Sequence, residues 1–117
     1  MSSSNIDIQS LLLNTSACLS DAIQAIESGH AQIAFVVDEC EKVIGTITDG
    51  DIRRALLRGE ALDTQVDKIM FRSFRSLPCS ATDEEALGFM RRETLHQIPA
   101  LDEQGRVVRL FLMEDLI

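Results

Sequence analysis

Thr48 and Asp51 are the residues whose types and spacing could do chemistry in this chain. They stand in the string Gly45-Thr46-Ile47-Thr48-Asp49-Gly50-Asp51-Ile52-Arg53-Arg54. The apolar pattern puts Thr48 where a strand ends and a helix begins. Its hydroxyl would stand beside helix N–H groups that lack intrahelical partners, a natural anion site. Asp51 follows one turn in, and its carboxylate can accept from two vicinal hydroxyls. Gly45 would leave room for a ligand against the strand. The same residues also have a plainer reading, in which Thr48 caps the helix, Asp51 complements its dipole and Gly45 serves strand packing. Arg53, Arg54 and Arg58 follow on that helix and read first as a solvated face.

The elements that must position this string occur twice. A shift of 64 residues lays Ala22-Ile23 on Ala86-Leu87, Val37-Asp38-Glu39 on Leu101-Asp102-Glu103, Val43-Ile44 on Val107-Val108 and Asp51 on Asp115, without a gap. A repeat of this length means two copies of one supersecondary unit. The second copy keeps the core pattern and Asp115, but Leu112 stands in place of the hydroxyl and Arg109 in place of the glycine. An apolar side chain offers an anion nothing, and the arginine would fill the space a glycine leaves, so Asp115 marks at most a weaker second site.

Element by element, residues 5–13 read as a short helix docked on the core, within an N-terminal segment 1–14. The first copy spans 15–59. Ser20 to Ser28 is a helix stopped by Gly29, and residues 33–37 and 43–47 form a hairpin about a polar turn. A second helix runs from about Asp49 to Arg58, with Gly59 as its stop. Residues 60–75 connect the copies through a helical turn carrying Val66, Ile69 and Met70. In the second copy, 76–117, Thr82 and Glu85 form a capping box opening a helix over Asp83–Glu93. Residues 97–101 and 107–112 pair as a hairpin, and Pro99 suits an edge or a bulge. The final helix is cut short after Asp115, which predicts a piece of a longer protein.

Composition excludes several classes of function. The 117 residues are enough for one compact domain or two half-domains sharing a core, with 45% apolar and 26% charged side chains. A formal charge of −8 argues against nucleic acid and anionic membrane surfaces as partners. There is no Trp or Tyr to stack bases on, and no apolar run approaches a membrane span. Cys18, Cys40 and Cys79 are odd in number and form no CxxC pair, which fits a reducing cytosol and gives no metal site. His30 and His96 do not align with each other and carry no ligand spacing; they read as surface or loop residues. Met70, Met90 and Met113 read as core fillers. No nucleophile–base pair is evident, so catalysis by this chain is not expected.

A helix, a hairpin, Gly-x-x-Thr-x-x-Asp, a helix and then a second copy resemble a tandem pair of CBS domains, the Bateman module, over residues 15–117. Thr48-Asp49-Gly50-Asp51-Ile52-Arg53-Arg54-Ala55-Leu56, Ile69-Met70 and Ile98-Pro99-Ala100-Leu101-Asp102-Glu103-Gln104-Gly105-Arg106-Val107-Val108 are most similar to the CBS pair preceding a sugar-phosphate nucleotidyltransferase domain in bacterial proteins. Sugar-phosphate isomerases with CBS tails are next most similar. The resemblance implies an α/β fold of two βαββα-like halves packed through their sheets about a pseudo-twofold axis. It implies a cytoplasmic homodimer that regulates an attached nucleotidyltransferase domain and is no enzyme itself. The ligand would be an adenosine-type nucleotide (AMP, ADP or ATP), with no essential cofactor and no metal. Its phosphate would lie near Thr48 and its ribose on Asp51, with Gly45 beside them. Arg53 or Arg54 would reach toward phosphate, and Asp115 would mark the weaker second site. The alternative is a dimerisation module without a functional ligand site.

Overall fold

The computed structural model describes residues 6–29 and 31–117. The expectations for residues 1–5 and for His30 concern residues outside these. The described residues form two compact units, Ile6–Phe74 and Arg75–Ile117. Each is α/β, with a three-stranded sheet whose middle strand pairs parallel with one neighbour and antiparallel with the other.

In the first unit a 3-10 turn, Ile8–Leu11, leads into strand β1, Leu12–Asn14. The short helix expected over 5–13 is therefore replaced. Dense apolar residues suit a strand as well as a helix, and Leu12, Leu13 and Asn14 pair in parallel with Phe35, Val36 and Val37. Helix α1, Leu19–Gly29, buries Leu19, Ala22 and Ala25. It opens with the Cys18 backbone N–H donating to the Asp21 carboxylate at 2.9 Å. Gly29, expected as the stop beyond the helix, is instead its last residue, and a side chain there would collide with Leu11. Strands β2, Ile33–Val37, and β3, Val43–Thr48, form the expected hairpin. Helix α2, Asp49–Leu57, follows without a loop. Gly59, at φ +89°, takes the left-handed turn that ends it. Beyond it a 3-10 turn at Val66–Lys68 sends Val66, Ile69 and Met70 into the core with Leu19, Ala22, Val36, Ile47 and Ile52. Residues 60–74 of the connector are thus part of the first unit.

The second unit repeats this plan at the same 64-residue offset. Strand β4, Leu77–Pro78, lies beside β5, Gln97–Leu101, and β5 beside β6, Val107–Leu112. The register slips between Ala100 and Leu101, as it does between Val36 and Val37 in the first unit. Pro99 sits in the middle strand beside this slip, and pairing to β4 starts one residue later at Ala100, so the proline breaks no ladder there. Helix α3, Asp83–Glu93, has the expected Thr82–Glu85 capping box and packs Ala86 and Met90 against Ile98 and Phe111. The chain finishes in a four-residue helix, α4, Met113–Leu116.

The two hairpin turns match in detail. Asp38 accepts from the backbone N–H groups of Cys40 and Lys42, and Asp102 from those of Gln104 and Arg106. The position before the last turn residue is left-handed in both, with Glu41 at φ 65° and Gly105 at φ 81°. The Arg106 backbone N–H, the largest influence, holds the Asp102 carboxyl below its ordinary value.

Candidate functional site in the first unit

Thr48 stands where β3 becomes α2, in extended conformation at φ −110° and ψ 171°. An extended residue immediately before a helix can turn its hydroxyl onto the free N–H groups of the first turn. Here the Asp51 N–H donates to Thr48 Oγ1 at 3.3 Å, while Thr48 N–H and Thr48 Oγ1 each donate to Asp51 Oδ2 at 3.0 Å. This is a complete capping box, the plainer reading of these residues realised in the fold. It also fixes a hydroxyl and a carboxylate side by side at the positive end of a nine-residue helix. Both residues are half-buried.

Arg54 is the arginine that closes on this pair. Its Nη2 donates to Asp51 Oδ1 at 2.8 Å, three residues on along the helix. Arg53 points to an exposed position. The Asp51–Arg54 spacing was visible in the sequence as an i,i+3 pair of opposite charges.

The room expected over Gly45 has an occupant. A Cβ at Gly45 would stand 2.5 Å from Met70 Sδ and 2.6 Å from Met70 Cγ. Met70 is held there because Thr46 and Phe71 exchange backbone hydrogen bonds of 3.0 and 2.8 Å, laying the connector along the outer edge of β3. Gly45 therefore admits the connector, one of the two readings its type allowed.

The second copy differs where the sequence differs. Leu112 caps α4 without a side-chain hydrogen bond, so Asp115 lies in the first turn of a helix that lacks the hydroxyl beside it. Arg109, opposite Ala100 on β6, pairs with Asp83 of α3 and lies 4.1 Å above the Phe111 ring. It covers the ring where Gly45 leaves space for Met70 in the first unit. His96 is exposed. No group of three metal-ligating side chains occurs among the described residues, and no helix among them is long and apolar enough to cross a membrane. Apart from this site, an open groove of about 620 Å³ runs along α1, lined by Leu12, Asn14, Ser16, Asp21, Gln24 and Ser28 among others.

Comparison with known proteins identifies the family and the fold. The chain is similar to arabinose 5-phosphate isomerase KdsD of Pseudomonas aeruginosa, 31% identical over 108 residues, which are 92% of this chain and 32% of that protein. Arabinose 5-phosphate isomerase GutQ of Escherichia coli is 27% identical over 99 residues, covering 85% of this chain and 31% of GutQ. The chain thus spans about a third of the curated relatives it matches. Among solved structures, a CBS domain protein from Pyrobaculum aerophilum complexed with AMP aligns with TM-score 0.78 at 16% identity, over 90% of this chain and 81% of that one. The CBS domains of a transcriptional regulator from Streptococcus pneumoniae align with TM-score 0.78 at 15% identity, over 99% and 96%. The model of the CBS domain matches residues 17–58 and again residues 66–117. With both copies matched, the chain belongs to the CBS domain family and carries two such domains in tandem.

Proposed function

We propose that this CBS pair is a regulatory module that binds an adenosine-type nucleotide at the Thr48–Asp51 site of the first copy and passes that state to an attached enzyme. The observation that carries the reading is the contrast between the copies. One keeps hydroxyl and carboxylate together at a strand-to-helix junction, and the other has lost the hydroxyl from an otherwise matching frame. In the bound state the Thr48 hydroxyl meets phosphate and Asp51 the ribose, with Arg54, and Arg53 beside it, facing the phosphate side. The fold shared with an AMP-complexed CBS protein supports AMP as the first ligand to try. Gly45 contributes by seating the connector, and Asp115 has at most a weak role.

The attached enzyme is read as one acting on a sugar phosphate. The arabinose 5-phosphate isomerases among the relatives favour an isomerase over the nucleotidyltransferase. We read the module as a homodimer of the cytosol, where free Cys18, Cys40 and Cys79 would stay reduced. The CBS pair itself performs no catalysis on this reading.

A thermal-shift series with AMP, ADP and ATP tests the proposal. A ligand at about 100 times its dissociation constant stabilises the fold by roughly 2.7 kcal/mol, a rise of several degrees. No shift with any of the three at millimolar concentration refutes the nucleotide reading in favour of a module that only dimerises.

A further inference from the structure

The geometry points to Arg54 as the residue that sets a preference for phosphorylated over unphosphorylated nucleosides; this rests on the nucleotide reading above. A carboxylate offers about four acceptor positions. Asp51 already has three engaged: Oδ2 takes the Thr48 N–H and the Thr48 hydroxyl, both at 3.0 Å, and Oδ1 takes Arg54 Nη2 at 2.8 Å. A ribose presents two vicinal hydroxyls and finds one position open. A ligand with a phosphate resolves this itself. The Thr48 hydroxyl turns from Asp51 to a phosphate oxygen and frees the second position on Oδ2. A nucleoside without phosphate offers that hydroxyl no charged acceptor in exchange, so its second ribose hydroxyl competes with Arg54 for Asp51. Arg54 is then an internal competitor that acts on the uncharged ligand and spares the charged one.

The placement of the guanidinium suits this role. It lies back over the first turn of α2, where a Cβ built on Gly50 would stand 3.2 Å from Nη1 and 3.3 Å from Nη2. Glycine at position 50 gives it the space. The Arg54 side chain is 64% exposed and that of Asp51 16% exposed. The competitor therefore sits on the solvent side of the carboxylate, where it can leave without unpacking the core. A pair so exposed weakens as salt is added.

Titration calorimetry of the intact chain with adenosine and with AMP, at low and high salt, tests the inference on wild type, Arg54→Gln and Gly50→Ala. Arg54→Gln should bind adenosine about two-fold tighter than wild type, the scale of one exposed helix ion pair. Wild-type affinity for adenosine should rise with salt and that of Arg54→Gln should not, since an uncharged ligand has no other charge partner to respond through. Gly50→Ala crowds the guanidinium and should move adenosine in the same direction. If wild type binds AMP but adenosine binding lies below detection, its appearance in Arg54→Gln supports the inference and its continued absence overturns it. AMP binding with an adenosine affinity indifferent to both Arg54→Gln and salt overturns the inference alone. Binding of neither ligand by wild type at millimolar concentration overturns the nucleotide reading as well.

Discussion

Gly45→Ala asks what the space over Gly45 is for. The new methyl would stand 2.5 Å from Met70 Sδ, 2.6 Å from its Cγ and 3.0 Å from its Cβ. The first two atoms belong to a flexible thioether, but the third is fixed to a backbone that the Thr46–Phe71 hydrogen bonds hold in place. Met70 therefore cannot simply swing away. Overpacking of this kind costs about 1–3 kcal/mol, and about 2 kcal/mol would lower the melting temperature by roughly 8 °C in a chain of this size. Met70→Ala removes most of a buried side chain and should cost about 2–4 kcal/mol. The double variant decides the matter. In it the methyl added at position 45 no longer meets Sδ and Cγ, and only the 3.0 Å approach to Cβ remains, so the two costs should fall short of additive by about 1 kcal/mol. The chain has no Trp or Tyr, so urea unfolding is best followed by far-ultraviolet circular dichroism. A Gly45→Ala loss under about 0.5 kcal/mol, additive with Met70→Ala and accompanied by lost AMP affinity, would refute the packing argument and return Gly45 to the ligand.

Thr48→Ala removes a helix cap and should lower stability by about 1 kcal/mol in urea unfolding; on the proposed function it also weakens AMP binding about ten-fold by calorimetry, whereas Asp115→Ala leaves AMP binding unchanged. Glu41→Gly relieves an exposed non-glycine residue at φ 65° and should raise stability by about 0.5–1 kcal/mol in the same unfolding assay; a loss would show that the turn is held for another reason. The carboxyls of Asp21 and Asp102 are held below 3.8, by the Cys18 N–H and then its thiol, and by the Arg106 N–H. A lowered folded pKa gives stability that is present above the unfolded value and lost as pH falls through the folded one. Unfolding midpoints should therefore drop below pH 3.8, and Asp102→Asn should make that drop shallower.

The repeat was legible because its core positions carry the pattern twice. Ala22 and Ala86, Val36 and Ala100, and Ile47 and Phe111 are buried at matching places. Both hairpins and the Thr82 capping box followed from apolar runs and cap chemistry alone. Leu12 to Asn14 did not, since three residues pairing in parallel with a strand 23 positions away leave no periodic trace. At the site, the types and spacing of Thr48 and Asp51 named the pair. The Arg54 partner of Asp51 followed from helix spacing, but the Met70 partner of Gly45 depended on tertiary packing. Met70 reaches Gly45 only because the connector folds back on β3.

The backbone exchange between Thr46 and Phe71 bears on where this protein can be cut. An open strand edge is a template for pairing with another chain, and Phe71 covers the outer edge of β3. A fragment ending at Gly59 would lose that cover together with Val66, Ile69 and Met70, leaving apolar strand surface next to unpaired N–H and C=O groups. Such a fragment should collect as β-rich aggregate on expression, whereas one carried through Phe74 keeps its edge covered and its core filled.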